Sequence, residues 1–239
     1  MSAPPPYRDY PYQVRYSYTT GAPLPSRITT SPTELLQLSV AFVVLTVDFS
    51  IILGYGSLLD RSLGYSALSL GVVAVSALAA LTAFVAHEMA HKVAAQRIGA
   101  WAEFRYSPVM LLVSLLISFA VGVLFAAPGA TVVRGMSDRR EWGRTSLAGP
   151  LSNIGFSAIF YGAAVGTYAV GSTLFAPLLI LAYFNGWFGT FNLIPFGILD
   201  GAKVFAWSKA AWAGAIVVAG ALAAVTFSAL YYGTPLIVR

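Results

Sequence analysis

The residues best suited to chemistry in this sequence are its two histidines, His87 and His91, with Glu88 between them. A helix has 3.6 residues per turn, so residues four apart share a face, and both imidazoles can reach one metal ion with the carboxylate beside them. All three lie in a long apolar stretch from Ser66 to Ala95. A carboxylate at membrane depth costs roughly 3 kcal/mol on insertion scales, so its presence there indicates a task.

The spacing His-Glu-x-x-His is typical of zinc hydrolases, in which the histidines bind Zn²⁺ and the glutamate is a general base. We therefore predict that His87 and His91 bind one zinc ion per chain and that Glu88 is the catalytic base. The alternative reading is that these polar side chains pack among neighbouring helices by chance.

Composition places the chain among membrane proteins. Hydrophobic residues make up 58% and charged residues 10%, whereas about 25% of the residues of a soluble domain are charged. The absence of cysteine excludes disulfides, thiolate ligands and a cysteine nucleophile. The net charge of +5 comes from scattered basic residues, so we attribute it to membrane topology and expect a lipid bilayer, not nucleic acid, as the partner.

The first 33 residues differ from the rest, since they are rich in proline and tyrosine and lack the apolar core of a signal peptide. We predict a cytoplasmic tail at 1–33, disordered in preference to an added strand at 12–18. A membrane-embedded domain is predicted at 34–239, with its core at 66–209.

Five apolar segments are long enough to cross about 30 Å of hydrocarbon, which takes roughly 20 helical residues. They lie near 34–54, 66–91, 145–168, 174–194 and 210–231. A further apolar run from Val109 to Ala127 decides the topology. If it crosses, the 14 Lys and Arg residues divide equally; if 108–133 enters and returns, all but Arg61 and Arg239 share one face.

The positive-inside rule favours the second arrangement. We therefore predict an all-α polytopic protein of the cell membrane with five spans, or six if the Val109 run crosses, and a re-entrant element at 108–133. The N-terminus is then cytoplasmic and the C-terminus external.

A metal held by two histidines needs a third protein ligand, and with no further His or Cys the candidates are carboxylates. Of the nine Asp and Glu residues, Asp48 and Asp200 lie at a plausible depth. Asp200 follows a segment in which Pro195 and Gly197 interrupt an apolar helix, a common way of presenting a polar group within a membrane. The predicted topology also places Asp200 on the same face as His91, which favours it over Asp48. In the alternative reading, Asp200 merely ends a helix at the membrane surface.

Three segments resemble, in order, the motifs of the site-2 protease family of intramembrane metalloproteases. They are His87-Glu88-x-x-His91, Gly149-Pro150-Leu-Ser-Asn153, and Asn192-x-x-Pro195 with Leu199-Asp200-Gly201. The resemblance covers about Ser66 to Lys209. It implies a zinc enzyme that cuts transmembrane segments of other proteins within the bilayer. It also implies an active site toward the cytosol and a membrane-embedded, partly β-like element between the first two motifs.

Carried over residue by residue, the resemblance implies zinc ligation by His87, His91 and Asp200, with Glu88 as base. It also implies that Asn153 and Asn192 lie beside the site, where they orient the substrate or polarise its carbonyl.

The β-like element has a counterpart in residues 127–133, a turn followed by a β-prone run. Gly129, Ala130, Thr131 and Val132 are our candidates for pairing with an unwound substrate strand. The long apolar insert at 109–125 departs from many relatives, so its conformation is open.

Two other functions use the same residues. A membrane zinc transporter or sensor also places His and acidic groups at membrane depth, although an ion pathway needs several consecutive sites and this chain offers one compact cluster. A catalytically inactive relative that serves as a scaffold is the other alternative.

Overall fold

The structure, a computed structural model, describes residues 28–55, 69–124 and 128–234. The fold is mostly helical. In chain order its elements are α1 (Pro32–Tyr55), α2 (Leu70–Ala79), α3 (Ala86–Arg97), β1 (Trp101–Tyr106), α4 (Pro108–Val121), β2 (Gly129–Arg134), α5 (Arg139–Ala169), α6 (Phe175–Asn192), α7 (Asp200–Trp207) and α8 (Lys209–Tyr232). The predicted disordered tail, with its alternative strand at 12–18, lies almost entirely outside the described residues.

Three of the described helices are long and apolar enough to cross a membrane. They are Pro32–Gly54, the continuous helix Leu70–Arg97 and Lys209–Tyr232. These coincide with the spans predicted near 34–54, 66–91 and 210–231. Helices α5 and α6 occupy the segments predicted at 145–168 and 174–194, and α5 begins at Arg139, within the charged connector.

Helix α5 lies at the centre of the fold and packs against α3, α6, α7 and α8. Its buried face carries glycine and polar residues at four-residue spacing, including Gly149, Asn153 and Ser157. Four-residue spacing keeps these positions on one side of the helix. The small and polar face of α5 is therefore turned toward its neighbours, and the hydroxyl of Ser157 donates to the carbonyl oxygen of Ala182 in α6 at 2.8 Å.

An antiparallel pair of strands, β1 and β2, lies beside α3. Phe104 is opposite Thr131, and the register runs from Trp101 opposite Arg134 to Tyr106 opposite Gly129. The β-prone run of the sequence is thus confirmed as β2. Strand β1 was not predicted, although the alternation in its sequence is compatible with a strand. Helix α4 occupies much of the insert between the two strands.

The outer edge of β1 is bound by side chains of two helices. The N–H of Phe104 donates to Glu34 Oε1 at 3.0 Å, and the N–H of Tyr106 donates to Gln37 Oε1 at 3.2 Å. Gln96 donates to the carbonyl oxygen of Ala102 at 3.0 Å. Because these groups are occupied, the outer edge of β1 is closed to a further strand.

A buried ion pair ties α1 to α3. Lys92 pairs with Glu34, and the side chains are 1% and 0% exposed. Lys92 also donates to the hydroxyl of Thr30 at 3.1 Å, while Glu34 binds Phe104 in β1. One buried charge pair therefore holds α1, α3 and the sheet in a single arrangement.

Candidate active site

Three side chains from two helices converge at one point. His87 and His91 project from successive turns of α3, and Asp200 is the first residue of α7. The two Nε2 atoms lie 3.0 Å apart, and Asp200 Oδ2 lies 3.2 Å from that of His87 and 2.8 Å from that of His91. All three residues are buried. The structure thus brings together the three residues that were predicted as zinc ligands.

The outer nitrogen of each imidazole is bound to an acceptor, which sets the tautomer. His91 Nδ1 donates at 2.8 Å to the backbone carbonyl oxygen of Thr145, which can only accept. His87 Nδ1 lies 2.6 Å from Asn153 Oδ1. The amide of Asn153 is oriented by its Nδ2, which donates to the carbonyl oxygen of Ala83 at 3.0 Å. Both rings therefore carry a proton on Nδ1 and direct the lone pair of Nε2 inward.

The inner atoms of the group are all acceptors. Two imidazole lone pairs and a carboxylate oxygen, separated by 2.8 to 3.2 Å, repel one another unless a cation lies among them. Two histidines and one carboxylate form a known ligand set of catalytic zinc sites, which keep one further position open. The residues present therefore fit a zinc ion.

A π-helical turn, Ala80–Val85, immediately precedes the two histidines. Turns of this kind are frequent at functional sites. The hydroxyl of Thr82 accepts a hydrogen bond from Asn185 of α6 at 3.0 Å, and Asn185 Oδ1 lies 3.4 Å from Nδ2 of Asn153. A buried polar network thus connects the π turn, α5 and α6 behind the ring of His87.

Gly149 allows α5 to lie directly against the histidine rings. A Cβ atom built on this glycine would lie 2.6 Å from Cε1 of His91 and 2.7 Å from Cε1 of His87. Real Cβ atoms do not make such contacts. Glycine at this position is therefore a requirement of the close packing between α3 and α5.

Asp200 is placed by the segment between α6 and α7. Helix α6 ends before this segment and α7 begins after it, which confirms the interruption predicted from Pro195 and Gly197. A Cβ atom on Gly201 would lie 2.6 Å from the carbonyl oxygen of Ile194. The glycine after Asp200 therefore lets the interrupted segment pack against the start of α7, which positions the carboxylate.

Charge also favours the ionised form of this carboxylate. A lysine beside a carboxylate favours its ionised form. Lys203 Nζ lies 3.3 Å from Oδ1 of Asp200, on the opposite carboxylate oxygen from the histidines. The oxygen that faces the histidines is thus available as a ligand.

Glu88 is held at the edge of the sheet. Its Oε2 accepts from the backbone N–H of Thr131 at 2.8 Å and from the hydroxyl of the same residue at 2.7 Å. The glutamate is 7% exposed. The candidate base is therefore bound to β2 on one side while its neighbours in α3 face the metal position.

The predicted roles of the two asparagines toward a substrate stay predictions. The polar atoms of Asn153 contact groups within the protein, and this geometry gives it the task of orienting His87. Asn192 Nδ2 donates to the carbonyl oxygen of Phe188 within α6 at 3.0 Å. The ring of Phe188 packs edge-on against that of His87, with 5.4 Å between their centroids.

Asp48, the other acidic candidate, lies apart from the metal group. It is fully buried in α1, and its carboxylate accepts from the hydroxyl of Ser114 in α4. It therefore joins α4 to α1.

Two supporting residues were not anticipated from the sequence. Thr145 acts through its main-chain carbonyl, which leaves no signal in the side-chain pattern. Asn185 does leave one, since it is a lone amide among the apolar residues in the middle of α6, where an unpaired polar group is costly. That signal was available and was missed.

Comparison with known proteins points to the same chemistry. The chain is similar to a protein of Methanocaldococcus jannaschii that is named "Putative zinc metalloprotease MJ0611". The two are 28% identical over 184 residues, which make up 77% of this chain and 88% of that protein. No family model matches the chain, and no solved structure matches it. The similarity, the His-His-Asp group and the membrane-compatible helices together support a membrane zinc metalloprotease.

Proposed function

We propose that this protein is an intramembrane zinc metalloprotease of the site-2 type, which hydrolyses peptide bonds within or near transmembrane segments of other membrane proteins. The observation that carries the proposal is the convergence of His87, His91 and Asp200 beside Glu88, inside a predominantly apolar helical domain. A compact metal group next to a carboxylate base is suited to hydrolysis.

The proposed enzyme crosses the membrane five times. Helix α5 is less apolar than the three long apolar helices, but its packing accounts for its composition. Thr145, Asn153 and Ser157 are buried against other parts of the protein, so lipid does not meet them. Polar residues in membrane helices commonly face the interior in this way.

The segment containing α4 enters the membrane and returns in this proposal. Helix α4 has 14 residues and is about 21 Å long, which is short of the roughly 30 Å of hydrocarbon. The strands on either side of it, β1 and β2, pair with each other. Because the chain leaves and rejoins the same sheet, the insert does not have to change sides, and this supports the topology with twelve basic residues on the cytoplasmic face.

The cytosolic placement of the active site follows from the same topology. A cavity of about 340 Å³ lies between α3 and α5, is lined by Asp138, Arg140 and Arg144 among others, and reaches Thr145. Thr145 is the residue whose carbonyl holds His91. The charged side chains of this cavity therefore lie beside the site on the side that the basic residues assign to the cytosol.

His87, His91 and Asp200 would hold the zinc ion in the proposed enzyme. When bound, zinc supplies a Lewis acid that activates water near neutral pH and polarises a carbonyl. Glu88 accepts the proton of the attacking water and returns it to the leaving amine. Asn153 and Thr145 keep the two imidazoles in the tautomer that directs Nε2 inward.

The proposed substrate is a transmembrane segment that unwinds locally before it is cut. The carbonyl groups of an intact helix are hydrogen-bonded, so a transmembrane substrate must unwind locally, and residues that disfavour helix near the cut facilitate this. An unwound segment can pair with free backbone groups on the outer edge of β2. Since alternate residues of a strand direct their backbone groups to the same side, Gly129 and Thr131 face that edge, whereas Ala130 and Val132 face β1.

The test is cleavage of a single-pass membrane substrate by purified protein in detergent or liposomes, with zinc measured in every sample. Glu88→Gln should abolish cleavage and keep zinc near the wild-type content. Glu103→Gln is the matched control, since it makes the same change in a glutamate that pairs with Arg105 in β1 and lies outside the metal group.

Chelator-sensitive cleavage by wild type and Glu103→Gln, but not by Glu88→Gln, would support the proposal. Cleavage by Glu88→Gln would refute the assignment of the base. Zinc in all samples without cleavage by any of them would favour the transporter, sensor or scaffold alternatives, and zinc flux into liposomes would then separate these.

A further inference from the structure

Thr131 binds the carboxylate of Glu88 through two donors at once. Its backbone N–H lies 2.8 Å from Oε2 and its hydroxyl oxygen 2.7 Å from the same atom. Hydrogen bonds to an ionised group are stronger than those between neutral groups. The hydroxyl oxygen is also 3.1 Å from the carbonyl oxygen of Glu88, but its single proton is better used by the nearer, charged acceptor.

Both bonds reach the same carboxylate oxygen. Oε2 of Glu88 is therefore saturated by Thr131, and within the described part of the chain no hydrogen bond reaches Oε1. A carboxylate held by one oxygen has a defined orientation and keeps the other oxygen for proton transfer. This division suits a general base that must accept a proton and return it.

The strand that carries Thr131 is itself firmly placed. Thr131 is opposite Phe104 in β1, and the backbone N–H of Phe104 is bound to Glu34. Glu34 in turn pairs with Lys92, one residue after His91. The donor to the base and the helix that carries the metal group are thus connected through buried contacts, as catalytic positioning requires.

We infer that Thr131 is a positioning residue for Glu88, in addition to its predicted place on the substrate-facing edge of β2. This inference rests on the proposed function. The hydroxyl and N–H of Thr131 fix Oε2 of Glu88, so that Oε1 is directed to the reacting groups. A substrate strand at this edge then pairs with acceptor groups of β2 at this position, because the N–H of Thr131 is already occupied.

The test compares Thr131→Val, which removes the hydroxyl and keeps the shape, with Thr131→Ser, which keeps the hydroxyl. Misplacing a catalytic group by about 1 Å costs on the order of 100-fold in rate. We expect kcat of Thr131→Val to fall by about 10- to 100-fold, with KM changed by less than about 2-fold. Thr131→Ser should restore most of kcat, and both variants should keep the wild-type zinc content.

Thr167→Val is the matched control. The hydroxyl of Thr167 donates to the carbonyl oxygen of Ala164 near the end of α5, so the same chemical change is made away from the site. Its kcat and KM should equal those of wild type.

A second measurement does not depend on catalysis. Thr131→Val should lower the Tm of the wild-type protein, because it removes a donor from a buried carboxylate. In a Glu88→Ala background the same substitution should have a much smaller effect on Tm, since the acceptor is already gone. This double-mutant cycle isolates the contact between the two side chains.

The outcomes separate this inference from the proposed function. If wild type cleaves and Thr131→Val keeps full kcat, or if Val and Ser variants lose activity equally, the inference is wrong while the proposed function stands. Loss of zinc from Thr131→Val would also overturn it, because the residue would then support the metal group. If wild type binds zinc and cleaves no membrane substrate, the proposed function fails and the positioning role fails with it.

Discussion

Nδ1 of His91 donates to the backbone carbonyl oxygen of Thr145 at 2.8 Å. The orientation of this ring therefore depends on where the main chain of α5 lies, and no substitution of the Thr145 side chain removes the acceptor. The position of this acceptor depends on how closely α5 approaches α3, and Gly149 permits the close approach.

Gly149→Ala should lose both zinc and activity. The added Cβ would overlap the rings of His87 and His91, so either the rings rotate or the helices separate, and either change displaces the ligand atoms. Zinc content by mass spectrometry and cleavage are the measurements. Gly155→Ala on the same helix is the control, because nothing lies within 4 Å of its added Cβ. Normal zinc content in Gly149→Ala would contradict the packing argument.

Asn153→Ala should weaken zinc binding. The amide orients His87, and loss of such a supporting partner typically costs about 10- to 100-fold in metal affinity or activity. Zinc affinity is measured by competition with a chromophoric chelator. If affinity is unchanged while cleavage is lost, Asn153 acts toward the substrate, as the resemblance implied, and not through His87.

Asp200→Asn and Asp48→Asn should behave differently, although both acids are buried. The Asp200 variant loses a charged ligand and should lose zinc, whereas the Asp48 variant should keep it, because Asp48 contacts Ser114 and not the histidines. Zinc stoichiometry of the two purified variants decides this. Full zinc in Asp200→Asn would place the third ligand elsewhere.

Chelation should lower the thermal stability of the wild-type protein, and added zinc should restore it. A ligand that binds only the folded state stabilises it by about 2.7 kcal/mol at 100 times its Kd. The same treatment should leave Asp200→Asn unaffected. A wild-type Tm that is independent of chelator would argue against a metal bound by the folded protein.

Lys92→Met should destabilise the protein strongly. Removing one partner of a buried ion pair costs about 3 to 5 kcal/mol, because the other charge is left uncompensated. Lys92→Met combined with Glu34→Gln should recover much of this loss, since Gln still accepts from Phe104 without a charge. Unfolding in mixed micelles measures both variants, and equal stability of the single and double variants would show that the charge of Glu34 is not the cause.

The class of protein and one side of the site were predictable from local features of the chain. Apolar runs predict membrane helices, and four-residue spacing brings His87 and His91 onto one helix face. Both features are local, because each depends only on residues within a few helical turns. The interruption at Pro195 and Gly197 was local in the same sense, and α6 and α7 end and begin on either side of it.

The distant groups that complete the site were specified by packing between separate segments. Asp200 is 113 residues from His87, and topology and resemblance, not spacing, favour it over Asp48. Strand β1, the carbonyl of Thr145 and the contact between Thr131 and Glu88 have no local periodicity that identifies them. They arise where separate helices and strands pack, and a main-chain acceptor is the same in every residue, so only the packing specifies which one is used.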